Sequence, residues 1–185
     1  MKKALVRALS VMVVAMMAVG LAAVPANAVV TGYKQIYAWI NGNPRCITVP
    51  ASSTVVGKKL DTWDCMSPKQ NNQLWGLHTG DYVLSPDGTM TYILKNRHSG
   101  LCIKGWNTKG AQVTQEVCSV TDDRQMWVRP STSPGGLVYN RWKNWKTGYC
   151  LAVSGAGTAN GTWLITWDCG TGNPAPDDRR WEIGT

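Results

Sequence analysis

The chain has no phenylalanine, only two histidines and, at 16% charged residues, little charge for its 185-residue length. It has no Cys-x-x-Cys pair, so a zinc site of ordinary ligand spacing is not expected. It also lacks Gly-x-Ser-x-Gly, His-Glu-x-x-His and a phosphate-cradling P-loop. The common hydrolase and nucleotide-dependent classes lose their usual signatures, and no catalytic residue, cofactor or metal is expected. No long stretch repeats with the period of a helix, which argues against a helical bundle and a doubly wound α/β fold. After residue 28 no apolar run is long enough for a transmembrane helix.

The first residues do carry such a run. Lys2, Lys3 and Arg7 open the chain, Ala8 to Ala23 are almost all apolar, and Ala26-Asn27-Ala28 is a small-x-small sequence. Residues 1–28 read as a secretory signal peptide, with a membrane anchor as the alternative. Residues 29–185 are then the mature, extracellular chain. Losing three basic residues lowers the net charge from +8 to +5, modest for a nucleic-acid-binding protein. Arg141-Trp142-Lys143-Asn144-Trp145-Lys146 does interleave bases with aromatics, as a single-strand binder would. Its place before a cysteine strand favours an ordinary strand and turn, and neither nucleic acid nor membrane insertion is expected.

What the mature part has is ten Trp and six Cys. An even cysteine count in an exported chain implies disulfides. An internal repeat organises them. Thr62-Trp63-Asp64-Cys65 recurs as Thr166-Trp167-Asp168-Cys169, an offset of 104, twice 52. Gln73-Leu74-Trp75 recurs as Gln125-Met126-Trp127 after 52 residues, and Arg179-Arg180-Trp181 is a degraded third copy. Gly57, Gly110 and Gly161 each stand eight residues before a cysteine. Lys95 to Cys102 aligns with Lys143 to Cys150 without a gap. Three repeats follow, at about 29–78, 79–130 and 131–185. Within each repeat the disulfide should be local: Cys46–Cys65, Cys102–Cys118 and Cys150–Cys169. Each closes a loop of about 17–20 residues and contributes on the order of 3 kcal/mol. A unit of about 52 residues cannot bury its own apolar face, so three must pack around one axis. The expected fold is all-β, a closed threefold barrel with Trp75, Trp127 and Trp181 as equivalent core residues.

The threefold Gln-x-Trp pattern with paired cysteines resembles the ricin-type (R-type) β-trefoil lectins over about residues 33–185. The resemblance implies a single-domain β-trefoil that binds glycan or polysaccharide without catalysis. In that family an Asp two residues after the first cysteine binds sugar hydroxyls. An aromatic two before the second cysteine stacks on the sugar, and an Asn before the Gln adds a hydrogen bond. Carried over, the first repeat offers Thr48 at the Asp position, Trp63 for stacking and Asn72-Gln73 as the polar pair. The third offers Ala152, Trp167 and Asp178. The second has Lys104, Glu116 and Arg124, which suit a charge cluster better than a sugar site. The family's Asp is missing from all three repeats, which counts against ordinary galactose-type binding. A carboxylate accepts two hydroxyl hydrogens through charge-assisted bonds, whereas Thr48 makes at most one short contact. Asp61, on the Trp63 side of its strand by period two, is the candidate compensating carboxylate; its alternative is a solvated hairpin charge. Asp178 is the candidate in the third repeat, against pairing with Arg179 or Arg180. The candidate carbohydrate-binding set is thus Thr48, Asp61, Trp63, Asn72, Gln73, Trp167 and Asp178. The alternative functions are a docking or targeting subunit of a larger secreted, toxin-like assembly, or a secreted inhibitor. The chain would act as a monomer or as a subunit of such a complex, with another secreted protein as partner.

Overall fold

A computed structural model describes residues 32–77, 83–129, 141–170 and 176–184. The expected signal peptide 1–28, His78 and the expected repeat boundaries near 78 and 130 lie outside the described residues. The first repeat contributes β1 (Tyr33–Ile40), β2 (Asn43–Thr48), β3 (Asp61–Asp64) and β4 (Leu74–Leu77). The second contributes β5 (Val83–Leu84), β6 (Met90–Thr91), β7 (Leu94–Asn96), β8 (Cys102–Lys104), β9 (Thr114–Glu116) and β10 (Trp127–Val128). The third contributes β11 (Lys143–Asn144), β12 (Cys150–Val153), β13 (Thr162–Trp167) and β14 (Trp181–Ile183). All pairings are antiparallel. One curled sheet runs β10-β11-β12-β13-β3-β2-β1-β4-β7-β8-β9, with β14 on β1 and a small β5–β6 hairpin apart. The fold is a β-trefoil.

The threefold repetition is carried by hydrogen bonds. Trp75, Trp127 and Trp181 are fully enclosed in the core. Each indole Nε1 donates to the carbonyl of the residue after a repeat's first cysteine, Ile47 at 2.9 Å, Ile103 at 3.1 Å and Leu151 at 2.9 Å. Three large aromatics thus fill the barrel with their own indole N–H groups paired. In the second and third repeats the strand before the tight turn ends in a buried Asn. Asn96 Oδ1 accepts from the amides of His98 and Ser99 at 2.9 and 3.1 Å, and its Nδ2 donates to the carbonyls of Asn72 and Leu74. Asn144 does the same with Thr147, Arg124 and Met126. Each side chain replaces ladder bonds at the turn and ties two repeats together.

The cysteines form three local disulfides, Cys46–Cys65, Cys102–Cys118 and Cys150–Cys169. Each staples the start of one hairpin strand to the end of its return. Replacing Cys46 and Cys65 together by serine should lower stability by about 3 kcal/mol. That is a fall of roughly 6–12 °C in Tm for a chain of this size, readable by calorimetry.

The hairpins also meet each other. Residues six and four before the second cysteines pair across repeats: Lys59 with Thr114, Gln112 with Ile165, and Trp163 with Asp61. These three joints close the cap of the trefoil and position the candidate sites.

Candidate carbohydrate-binding site

In the first repeat β2 ends at Thr48 and the chain turns through Pro50–Ser52. Ala51 and Ser52 both adopt left-handed backbone, φ 51° and 50°. This sharp turn forms one wall of a groove of about 570 Å³, with Trp63 as the other wall and Thr48 and Asn72 at its base. Trp63 projects from β3 and keeps 39% of its surface exposed. Thr48 is buried; its hydroxyl donates to the Cys46 carbonyl at 3.0 Å and accepts from Gln73 Nε2 at 3.1 Å. Asn72 Nδ2 donates to the Val49 carbonyl at 3.1 Å. Its Oδ1 accepts nothing among the described residues, so a base-lying acceptor remains for a ligand hydroxyl.

The ring of Trp63 is flanked by the third repeat. A methyl group on Gly161 would meet Trp63 Cζ3 at 4.0 Å, so the Gly161 turn lies beside the indole edge. Gly161 sits at φ +83°, where a side chain would be strained. Next to it, Asn160 Oδ1 accepts from the Asp64 amide at 2.7 Å and from Arg45 Nη1 at 2.9 Å, and Arg45 pairs with Asp64. Stacking residue and buttress therefore come from different repeats.

The third repeat has the equivalent cavity, about 410 Å³, between the Ser154–Ala156 turn, Ile165, Trp167 and Asp178. Its chemistry differs. Lys109 Nζ lies 4.6 Å from the centre of the Trp167 ring and pairs with Asp168. Asp178 is buried and accepts from Arg179 Nε at 3.2 Å. One indole and the one carboxylate are already engaged.

The sequence profile of the ricin-type β-trefoil lectin domain matches residues 37–177. The chain belongs to this family. No curated protein matches the sequence at a significant level. The designed threefold-symmetric protein ThreeFoil superposes with a TM-score of 0.66 at 24% identity, covering 83% of this chain and 98% of its own. The C-half of the earthworm R-type lectin, solved with GalNAc, gives 0.57 at 14% identity, covering 82% and 97%. An exo-β-1,3-galactanase from Clostridium thermocellum gives 0.65 at 16% identity; the chain covers 83% of itself but 30% of that enzyme. Membership marks this chain as a carbohydrate-binding, non-catalytic type of domain, one that also occurs as a part of enzymes and toxins.

The remaining predicted residues of the lectin domain fall into place around this frame. Gln73 is fully buried, and all its polar capacity is spent inside. Nε2 donates to Asp64 O and Thr48 Oγ1, while Oε1 accepts from the Met66 amide and from Gln35. It holds the segment around Cys65 in place and is not exposed to a ligand. In the second repeat the expected cluster of Lys104, Glu116 and Arg124 has a different centre. Lys104 and Arg124 both pair with Asp122, at 2.8 and 2.9 Å, and Glu116 accepts from Thr114 Oγ1 instead. Burial opposes ionisation of Asp122, but hydrogen bonds from Arg124 and Lys104 outweigh it and hold the carboxyl down at about 2. The two cations also flank Trp106, at 4.9 and 5.5 Å from its ring. Sequence spacing missed Trp106, which stands at neither aromatic landmark. In the basic-aromatic stretch, Trp142 is buried in the core, Trp145 donates to Asp87 and Lys146 pairs with Asp123. Its aromatics are thus committed to the fold and form no open stacking row.

Asp61 lies in β3 directly opposite Thr48 of β2 and Trp163 of β13. It is 8% exposed, not a solvated hairpin charge, and its Oδ1 is enclosed without a hydrogen-bond partner. The groove lining runs through Thr48 and stops short of it. Burial pushes its carboxyl up from 3.8 to about 6, against the opposing pull of the Lys58 cation. The folded state thus holds this proton more tightly than the unfolded chain does. The resulting stability is complete below 3.8 and is lost as pH rises through about 6. Asp61→Asn should therefore raise Tm at pH 8, by about 2–4 °C, and lose that advantage at pH 4. A melting series across that range checks it.

Proposed function

We propose that this chain is a secreted glycan-binding module whose main site is the first-repeat groove. The carrying observation is Trp63, an open indole forming one wall of that groove above Thr48 and the unengaged carbonyl of Asn72. An indole covers the C–H face of a pyranose and excludes water, while the base reads hydroxyls at the ring edge. Gln73 acts from behind by fixing Thr48. Trp167 and Asp178 form a weaker second site, because Lys109 and Arg179 compete for them. Two sites on one polysaccharide would add avidity to weak single-site affinity. The second repeat, with its charges neutralised around Trp106, takes no sugar.

The missing carboxylate at Thr48, Lys104 and Ala152 supports a second reading, a docking subunit of a larger secreted assembly. One experiment separates them. Oxidised residues 29–185 are screened against an array of glycans and cell-wall polysaccharides, with Trp63→Ala alongside. Binding that the variant loses supports the lectin reading. No binding by the wild type sinks it and turns the search to co-purifying partners from culture supernatant.

A further inference from the structure

We infer that the first-repeat site continues across the repeat boundary onto Trp163 and so takes an oligosaccharide rather than a single sugar. This rests on the glycan reading above and specifies its substrate class.

The sheet register places the residues. Thr48, Asp61 and Trp163 form one row across β2, β3 and β13, and Trp63 lies two residues along β3 from Asp61. Residues directly opposite share a face, as do residues two apart on one strand, so all four lie on the same face of the sheet, Thr48 and Asp61 buried and the two indoles open. Trp63 and Trp163 are diagonal neighbours, about 7–8 Å apart at their backbones. Trp163 is 59% exposed, more than the other exposed tryptophans Trp39 and Trp63. Two open indoles therefore stand in sequence along one surface, with Asp61 between them.

The threefold symmetry shows that packing does not require either residue. The same inter-repeat joint is built elsewhere from Lys59 with Thr114 and from Gln112 with Ile165. Only the joint beside the open groove carries an indole and a carboxylate. The carboxylate is costly where it stands. Neither of its oxygens receives a hydrogen bond among the described residues, and Oδ1 is enclosed. A buried charge without donors opposes folding. Oδ2 lies on the side of Gly161, where an added Cβ would meet Asp61 Oδ2 at 3.9 Å and Trp63 Cζ3 at 4.0 Å. The absent side chain leaves space between carboxylate and indole. A sugar hydroxyl entering there would donate to Oδ2 in a charge-assisted bond while its ring lies along Trp63. The next ring of the chain would then reach Trp163.

The test uses length series of one to four rings of β-linked galactose, glucose and N-acetylglucosamine, titrated calorimetrically against oxidised residues 29–185. The wild type should bind the longer members of one series about tenfold more tightly than its monosaccharide. Trp163→Ala should remove that gain and leave monosaccharide affinity unchanged, and Trp163→Tyr should restore most of it. Gln112→Ala, at an equivalent joint, should change nothing. Asp61→Asn should weaken binding of every length. If Trp163→Ala binds the longer members as the wild type does, or if affinity does not grow with length, the inference is overturned while the glycan reading stands. If no series binds, the glycan reading itself falls.

Discussion

Trp63→Ala should cost about 10–100-fold in glycan affinity and leave the melting temperature nearly unchanged. The two halves of that expectation have different origins. An aromatic ring stacked on a ligand removes a large apolar area from water, worth about 1.5–3 kcal/mol, and 1.4 kcal/mol is a factor of ten. In the free protein, however, Trp63 is already 39% exposed and lies outside the enclosed core. Its removal creates no interior cavity, so stability has little to lose. Trp167→Ala should weaken binding to a polysaccharide only a few-fold, because a cation already sits on that ring. Titrating both variants with the ligand found on the array, with a melting curve for each, reads both quantities. Equal losses from the two variants would contradict the dominance of the first-repeat groove.

Gln73→Ala should be strongly destabilising, by about 3 kcal/mol, or roughly 6–12 °C in Tm. The side chain makes four internal hydrogen bonds. Truncation takes the Gln73 partner from the Asp64 carbonyl and the Met66 amide, and each unpaired buried group costs about 1–3 kcal/mol. Gln125 brackets Cys118 in the same way, accepting from the Ser119 amide at 3.0 Å and donating to the Val117 carbonyl at 2.8 Å. It makes two bonds to the four of Gln73, so Gln125→Ala should cost less. In the third repeat Arg179 has no acceptor to offer at this position, and its guanidinium turns to Asp178. Thermal unfolding of Gln73→Ala and Gln125→Ala side by side checks the order. A Gln73 variant that melts like the wild type but no longer binds glycan would mean that Gln73 meets the ligand directly.

The recurrence of Gln-x-Trp and of the cysteine pairs was legible as a fold because it reports constraints repeated within a local segment. Each Trp bonds the residue after a cysteine and each Gln brackets a cysteine segment, so spacing along the chain is spacing in the structure. Asp178 was legible too, since its partner Arg179 is its neighbour. Gln73 was misleading for the same reason that it was visible. Standing beside Asn72, it shares the landmark, yet alternate side chains of that turn point to different surroundings. Asp61 was placed on the Trp63 side of its strand by period two, but its burial depends on β13 of another repeat.

The sequence by itself determined a threefold all-β chain with a tryptophan core, because period, cysteines and glycines are one-dimensional facts. Only the tertiary structure decided which repeat keeps an open indole beside a groove. That outcome depends on contacts between residues far apart in the chain: Gly161 against Trp63, Lys109 over Trp167, Trp163 opposite Asp61. Closing the trefoil brings the second hairpin beside Trp167 and the third beside Trp63, and the side chain that arrives there either covers the indole or leaves it free. No spacing within one repeat encodes which of the two happens.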